Sequence, residues 1–231
     1  MSVKNNLLEI KRDLPENVTL VAVSKTHPAS AIMEAYEAGH KIFGENKVQE
    51  LVEKYEELPK DIEWHLIGHL QTNKVKFIAP FVSLIHSVDS LKLLQEINKQ
   101  ALKNNRVINC LLQIYIANEE TKFGLSFAEA EQLIASEEFK QLKNIHITGL
   151  MGMATNTEDL KQIRNEFHSL KNFFEKLNTK GSGLSTLSMG MSSDYKIATE
   201  ALVSDTAAID NAIPITGPNK VPAIAYPIPL L

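Results

Sequence analysis

Lys25 carries the first chemistry legible in this chain. It follows the apolar run Leu20-Val21-Ala22-Val23 and Ser24, and precedes Thr26-His27-Pro28 and a stretch with helical spacing. A short apolar run bounded by turn residues reads as a strand buried on both faces, as in a parallel sheet. A lysine at the end of such a strand borders low-dielectric surroundings, which favour the neutral amine. Neutral lysine is a nucleophile toward aldehydes. A solvated lysine just past a strand is the plainer reading of this segment alone, so the other strand ends must decide.

Four more segments offer candidates. In Phe43-Gly44-Glu45-Asn46 the glycine permits a tight turn, and Asn46 either caps the following helix or contacts a ligand. In Trp64-His65-Leu66-Ile67-Gly68-His69 the two histidines have the spacing of a helical zinc motif, without its glutamate. On a strand, residues four apart lie about 13 Å apart, too far to share one metal ion. His65 then reads as a core histidine and His69 as a ligand contact at the strand mouth, while Asp89 caps the helix beginning at Ser90. The methionines of Gly149-Leu150-Met151-Gly152-Met153 fill core space or pack on an aromatic ring. The run Ser188-Met189-Gly190-Met191-Ser192-Ser193-Asp194 leads straight into a helix. Small residues at a helix start form a phosphate cradle, because unpaired N–H groups and the helix dipole face the anion. Ser192 or Ser193 serving only as a helix cap is the alternative. A reactive lysine at one strand end and a phosphate cradle at another point together to pyridoxal phosphate (PLP).

These residues need a scaffold that gathers strand ends. Strand-like runs fall near 18–24, 40–44, 63–68, 82–88, 107–116, 145–151 and 185–190. Between them lie helical periods: Val48, Leu51, Val52, Tyr55 and Leu58 share one face, and Leu160, Ile163, Phe167, Leu170, Phe174 and Leu177 share another. A helix over roughly 4–13 precedes the first strand. Repeated strand–helix units imply parallel strands with right-handed crossovers, in an open doubly wound sheet or a (β/α)₈ barrel. No Gly-x-Gly-x-x-Gly follows the first strand, so the barrel is the expected fold, with the site at the carboxyl ends of its strands. One domain over 1–231 is expected, with 201–231 an atypical tail.

Composition narrows the class. The 231 residues are 44% hydrophobic and 23% charged, with a net charge of −4, which leaves no electrostatic footprint for nucleic acid. Lysines alternate with glutamates in Glu53-Lys54-Tyr55-Glu56-Glu57, a pattern expected of a solvated helix face. The single cysteine, Cys110, lies in an apolar run and reads as a core residue in a reducing compartment. The N-terminus has no apolar leader and no stretch is long enough to span a membrane, so a cytoplasmic protein is expected.

The segments Leu20 to Thr26, Phe43 to Glu50, Trp64 to Lys74, His86 to Ser90, Gly149 to Met151 and Ser188 to Asp194 occur in an order that resembles the pyridoxal phosphate homeostasis family, also called proline synthase co-transcribed homologues. The resemblance implies a TIM-type barrel like the N-terminal domain of alanine racemase, with PLP held as an aldimine on Lys25. It implies a role in vitamin B6 homeostasis without established catalysis, with a PLP-dependent racemase or decarboxylase as the alternative. Lys25, Asn46, His69, Met191 and Ser192 carry over as cofactor-binding residues, with no catalytic residue and no metal. The partners it implies are the cofactor and PLP-dependent apoenzymes, with neither nucleic acid nor membrane, and the chain is expected to be a monomer.

Beyond Glu200 the sequence departs from that family. The family pattern resembles an eighth strand with an arginine near the ring nitrogen and a Gly-Thr pair on the phosphate. No arginine occurs here after Arg164. Thr206 to Ile213 is the nearest strand-like stretch, which leaves the eighth strand in doubt.

Overall fold

The computed structural model describes residues 2–119, 123–203 and 223–226. Helix α1 (Val3–Asp13) precedes β1 (Thr19–Val23), α2 (Ala29–Glu37), β2 (Ile42–Glu45), α3 (Val48–Glu57) and β3 (Glu63–Leu66). A 3₁₀ turn (Thr72–Lys74) then leads through α4 (Val75–Ile78) to β4 (Leu84–Val88), α5 (Leu91–Lys103) and β5 (Ile108–Ile114). Next come α6 (Phe127–Ala135), α7 (Glu137–Lys140), β6 (Ile145–Gly152), α8 (Leu160–Thr179), β7 (Thr186–Ser188), α9 (Tyr195–Val203) and β8 (Ala223–Tyr226). Every pairing is parallel, in the order β7-β6-β5-β4-β3-β2-β1-β8. The seven expected strands and the opening helix fall where the apolar runs put them.

The strand period of two sorts side chains into two layers. Leu20 and Ala22, Phe43, Trp64 and Leu66, Ile85, Cys110, Leu112, Leu150 and Leu187 join helix residues such as Leu7, Ile32, Leu51, Ile97 and Phe167 in the main core, between sheet and helices. Leu84, Leu111 and Met151 form a separate small cluster on the other face, with Met153 against it. Cys110 is fully buried in the outer layer, and burial pushes its thiol pKa up.

The sheet curls. His86 on β4 bonds Ser188 on β7 at 2.9 Å, although β5 and β6 lie between those strands in the sheet. The edge strands β7 and β8 approach within 8 Å between Cα atoms. This is a (β/α)₈-type barrel, with no β7–β8 ladder among the described residues. Gly149 sits where β6 meets β7, and a Cβ there would lie 1.6 Å from the Thr186 carbonyl oxygen.

The eighth strand is corrected in place. It is Ala223–Tyr226, paired with β1 from Thr19↔Ala223 to Ala22↔Tyr226, so the β1 edge is covered. The stretch Thr206 to Ile213 lies outside the described residues. No described helix is long and apolar enough to cross a membrane.

Candidate functional site

Because all strands run the same way, Lys25 after β1, Asn46 after β2, His69 after β3 and Met191–Ser192 after β7 share the carboxyl rim of the barrel. A cavity of about 510 Å³ opens at the opposite end, lined among others by Lys11, Thr19, His40, Lys41 and Glu63, away from all five.

Lys25 stands beyond the strand in an exposed turn, not in the apolar surroundings expected for it. The turn is closed by the His27 N–H on the Ser24 carbonyl at 3.1 Å. Thr26, its third residue, has φ 66°, a left-handed conformation unusual for a β-branched side chain. Among the described residues the Lys25 amine has no hydrogen bond or ion pair. Leu20 and Ala22 of β1 pack in the outer core while Val21 and Val23 do not, and that alternation carried on past the strand puts position 25 on the side of Val21 and Val23.

Beneath this turn is a buried ionic cluster that the sequence pattern did not disclose. Lys54 of α3 is only 7% exposed, contrary to the solvated face expected for it. It lies three residues after Leu51 and four before Leu58, on the buried side of its helix, and that register was the available signal. Its amine donates to Glu45 Oε1 at 2.6 Å and to Glu50 Oε1 at 2.7 Å. The Ser24 hydroxyl also donates to Glu45 Oε1, at 2.6 Å. Burial raises the Glu45 pKa despite those donors, and its Oε2 is buried without a partner among the described residues. Burial alone would raise Glu50 too, but bonds from Lys54 and the Thr26 N–H outweigh it and hold the carboxyl below its ordinary value.

Asn46 does not cap α3. Lys47 occupies the cap position and makes no side-chain cap bond. The Asn46 backbone presses against Gly68, where a Cβ would stand 2.4 Å from the Asn46 carbonyl oxygen. Ser87 pins the same glycine by donating to its carbonyl at 2.5 Å. The asparagine amide is thus aimed by backbone packing, and it makes no hydrogen bond among the described residues.

His69 stacks on Phe123, ring centroids 4.5 Å apart, and its Nδ1 lies 3.5 Å from Asp89 Oδ2. Asp89 is therefore not the helix cap; Ser90 is, accepting from the Leu93 N–H. Phe123 is tied down by Gln113, which donates to the Phe123 carbonyl at 2.9 Å. Deeper in the barrel His65 is buried, as expected, and bonds His86 at 3.0 Å. Burial lowers His65 to about 4 and holds His86 well below its ordinary value, so both rings are neutral at pH 7.

At the start of α9, Gly190 has φ 90° and Ser192 and Ser193 are exposed. The Met191 N–H already donates to Asp194 Oδ1 at 2.5 Å, so it is not an open anion donor. Ser192 and Ser193 offer hydroxyls ahead of the helix dipole. An amine, an amide, a stacked imidazole and a pair of hydroxyls on one rim match the aldehyde, ring and phosphate of PLP in kind.

Fold and rim together define a barrel of the sort that forms the N-terminal domain of alanine racemase, and that family matches residues 1–206. A protein of Aquifex aeolicus is 42% identical over 183 residues, 78% of this chain and 79% of its own length. One of Escherichia coli is 39% identical over 192 residues, 81% of each chain. Both are named pyridoxal phosphate homeostasis protein, and the chain belongs to that family. PipY of Synechococcus elongatus, solved without PLP, superposes with a TM-score of 0.85 at 32% identity over 99% of both chains. The same protein has been solved with PLP bound, at a TM-score of 0.79 over 97% of this chain and 98% of its own. Alanine racemase of Clostridium difficile shares the fold at 16% identity, TM-score 0.72, over 98% of this chain and 55% of its own.

Proposed function

We propose that this protein binds PLP covalently through Lys25 and holds it for vitamin B6 homeostasis, without turning over amino acids. The observation that carries the reading is the Lys25 amine, without a partner among the described residues and exposed on the same rim as Asn46, His69 and the α9 start. When bound, PLP supplies an electrophilic aldehyde and an electron-accepting ring. Lys25 provides the nucleophile once its ammonium gives up a proton to solvent, and no hydrogen bond or ion pair among the described residues holds its amine. Asn46 offers donor and acceptor to a ring substituent. The His69 ring, braced by Phe123, presents a flat face at the mouth. Ser192 and Ser193 bind the phosphate, with Met191 contributing its side chain rather than its N–H. The carboxylate of Asp194 stands close to that corner, and no arginine follows Arg164 in the sequence.

Racemisation needs an acid–base group on each face of the substrate. His65 and His86, the buried imidazoles of the interior, are bonded to each other and to Ser188, with pKa values pushed far below neutrality. They are suited to filling the barrel rather than to exchanging protons at pH 7. We further place the protein in the cytoplasm, as one monomeric domain that passes cofactor to apoenzymes.

Titration with PLP, followed by absorbance, and deuterium exchange at the α-carbon of amino acids test this. Saturable binding with no exchange above a Lys25→Ala control is expected. Absence of binding, or exchange dependent on Lys25, overturns it.

A further inference from the structure

We infer that Lys54 and Glu50 are positioning residues for Lys25: one buried ionic cluster grips the two peptide groups that flank it. This rests on the reading of Lys25 as the residue that bonds PLP. On the near side, the Lys54 amine donates to the Ser24 carbonyl at 2.7 Å. On the far side, the Thr26 N–H donates to Glu50 Oε1 at 2.6 Å. The same Glu50 oxygen accepts from Lys54 at 2.7 Å, which closes the loop between the two grips.

The peptide planes before and after residue 25 determine where its Cα–Cβ bond points. Both are fixed by groups that do not belong to the turn. Thr26 shows that the grip does work against a local preference, since a threonine at φ 66° persists only where surroundings over-determine it. The Thr26 hydroxyl donates to the Lys25 carbonyl at 2.6 Å, a short-range bond that accompanies this shape. Glu45 anchors the cluster to β2 from a fully buried position, at the expense of an unpartnered Oε2. A buried charge cluster of this kind is a poor source of stability compared with apolar packing, which points to another role for it. Fixing the turn is that role. The Lys25 amine itself makes no bond among the described residues, so the grip holds its backbone and leaves its nitrogen available.

The test is the rate at which PLP is trapped on Lys25. The lysine nitrogen bonds the aldehyde carbon with loss of water, borohydride delivers hydride to that carbon, and peptide mapping by mass spectrometry locates the product. Wild type, Lys54→Met, Glu50→Ala and Lys54→Arg are compared, each well below its own melting midpoint. Lys54→Met and Glu50→Ala should trap on Lys25 at least about tenfold more slowly, because loss of geometry slows a bimolecular encounter at a held nucleophile. Labelling of surface lysines should be unchanged, a contrast that general destabilisation does not produce. Lys54→Arg keeps the donors and should recover most of the rate. Glu50 is partly exposed, so Glu50→Ala remains folded and informative even if Lys54→Met does not. Wild-type trapping rates on Lys25 in folded Glu50→Ala overturn the inference while leaving the proposed function intact. A wild-type protein that forms no product on Lys25 overturns both.

Discussion

Ser188 and His86 meet across the barrel, Oγ to Nδ1 at 2.9 Å, and His86 passes the contact on to His65 at 3.0 Å. The chain ties β7 to β4 and β3 with neutral imidazoles, and neutrality is the condition of its stability. His65 takes up a proton near pH 6.5 when unfolded but only near pH 4 when folded. Between those values the unfolded state binds more protons, so stability falls as pH falls, by about 3 kcal/mol for His65 in total. His86 and the buried His40, lowered to about 4, act in the same direction. Denaturant midpoints should therefore drop between about pH 6.5 and 5, with a shallower slope in His65→Gln. Equal slopes would show that His65 does not titrate as its burial requires.

Gly68→Ala should disturb the site from outside it. Its new Cβ would fall 2.4 Å from the Asn46 carbonyl oxygen and 2.7 Å from its Cα, backbone atoms that cannot swing aside. A cost of about 1–3 kcal/mol in stability is expected. PLP affinity should fall alongside it, measured by equilibrium titration. Loss of stability with unchanged affinity would remove Asn46 from the site.

Ser192→Asp places a carboxylate at the proposed phosphate position, close in sequence to the carboxylate of Asp194. PLP binding should weaken at least tenfold, or about 1.4 kcal/mol. Unchanged affinity would mean that the phosphate lies elsewhere on the rim.

Removing residues from Ala223 onward should strip β8 from β1. The strand pairs Thr19 to Ala22 with Ala223 to Tyr226, and its loss exposes backbone donors and acceptors along β1. A melting midpoint lower by at least about 5 °C is expected, with faster aggregation. A shortened chain that melts as high would mean that β8 contributes nothing to closure.

The strands were legible because each is a β-branched or apolar run cut off by turn residues, as at Leu20–Val23 and Leu84–Val88. The rim followed from parallelism, and with it the neighbourhood of Lys25, Asn46, His69 and Ser192. Three details were not legible. Lys54 reads as surface because its partners Glu45 and Ser24 come from other elements. Asp89 and Asn46 have the residue types of caps, yet tertiary contacts with His69 and Gly68 decide their positions. The β8 strand is four residues of Ala-Ile-Ala-Tyr in a proline-rich stretch, too short to stand out from its surroundings without the β1 edge that pairs with it.

The central claim is that Lys25 is the residue that bonds the cofactor. Incubation of the whole protein with PLP, reduction with borohydride and mass-spectrometric mapping of every lysine tests it most directly. One stoichiometric product on Lys25 is expected, absent from Lys25→Ala, which should melt close to wild type because the lost side chain is exposed. A product spread over surface lysines, or one that persists in Lys25→Ala, would contradict it.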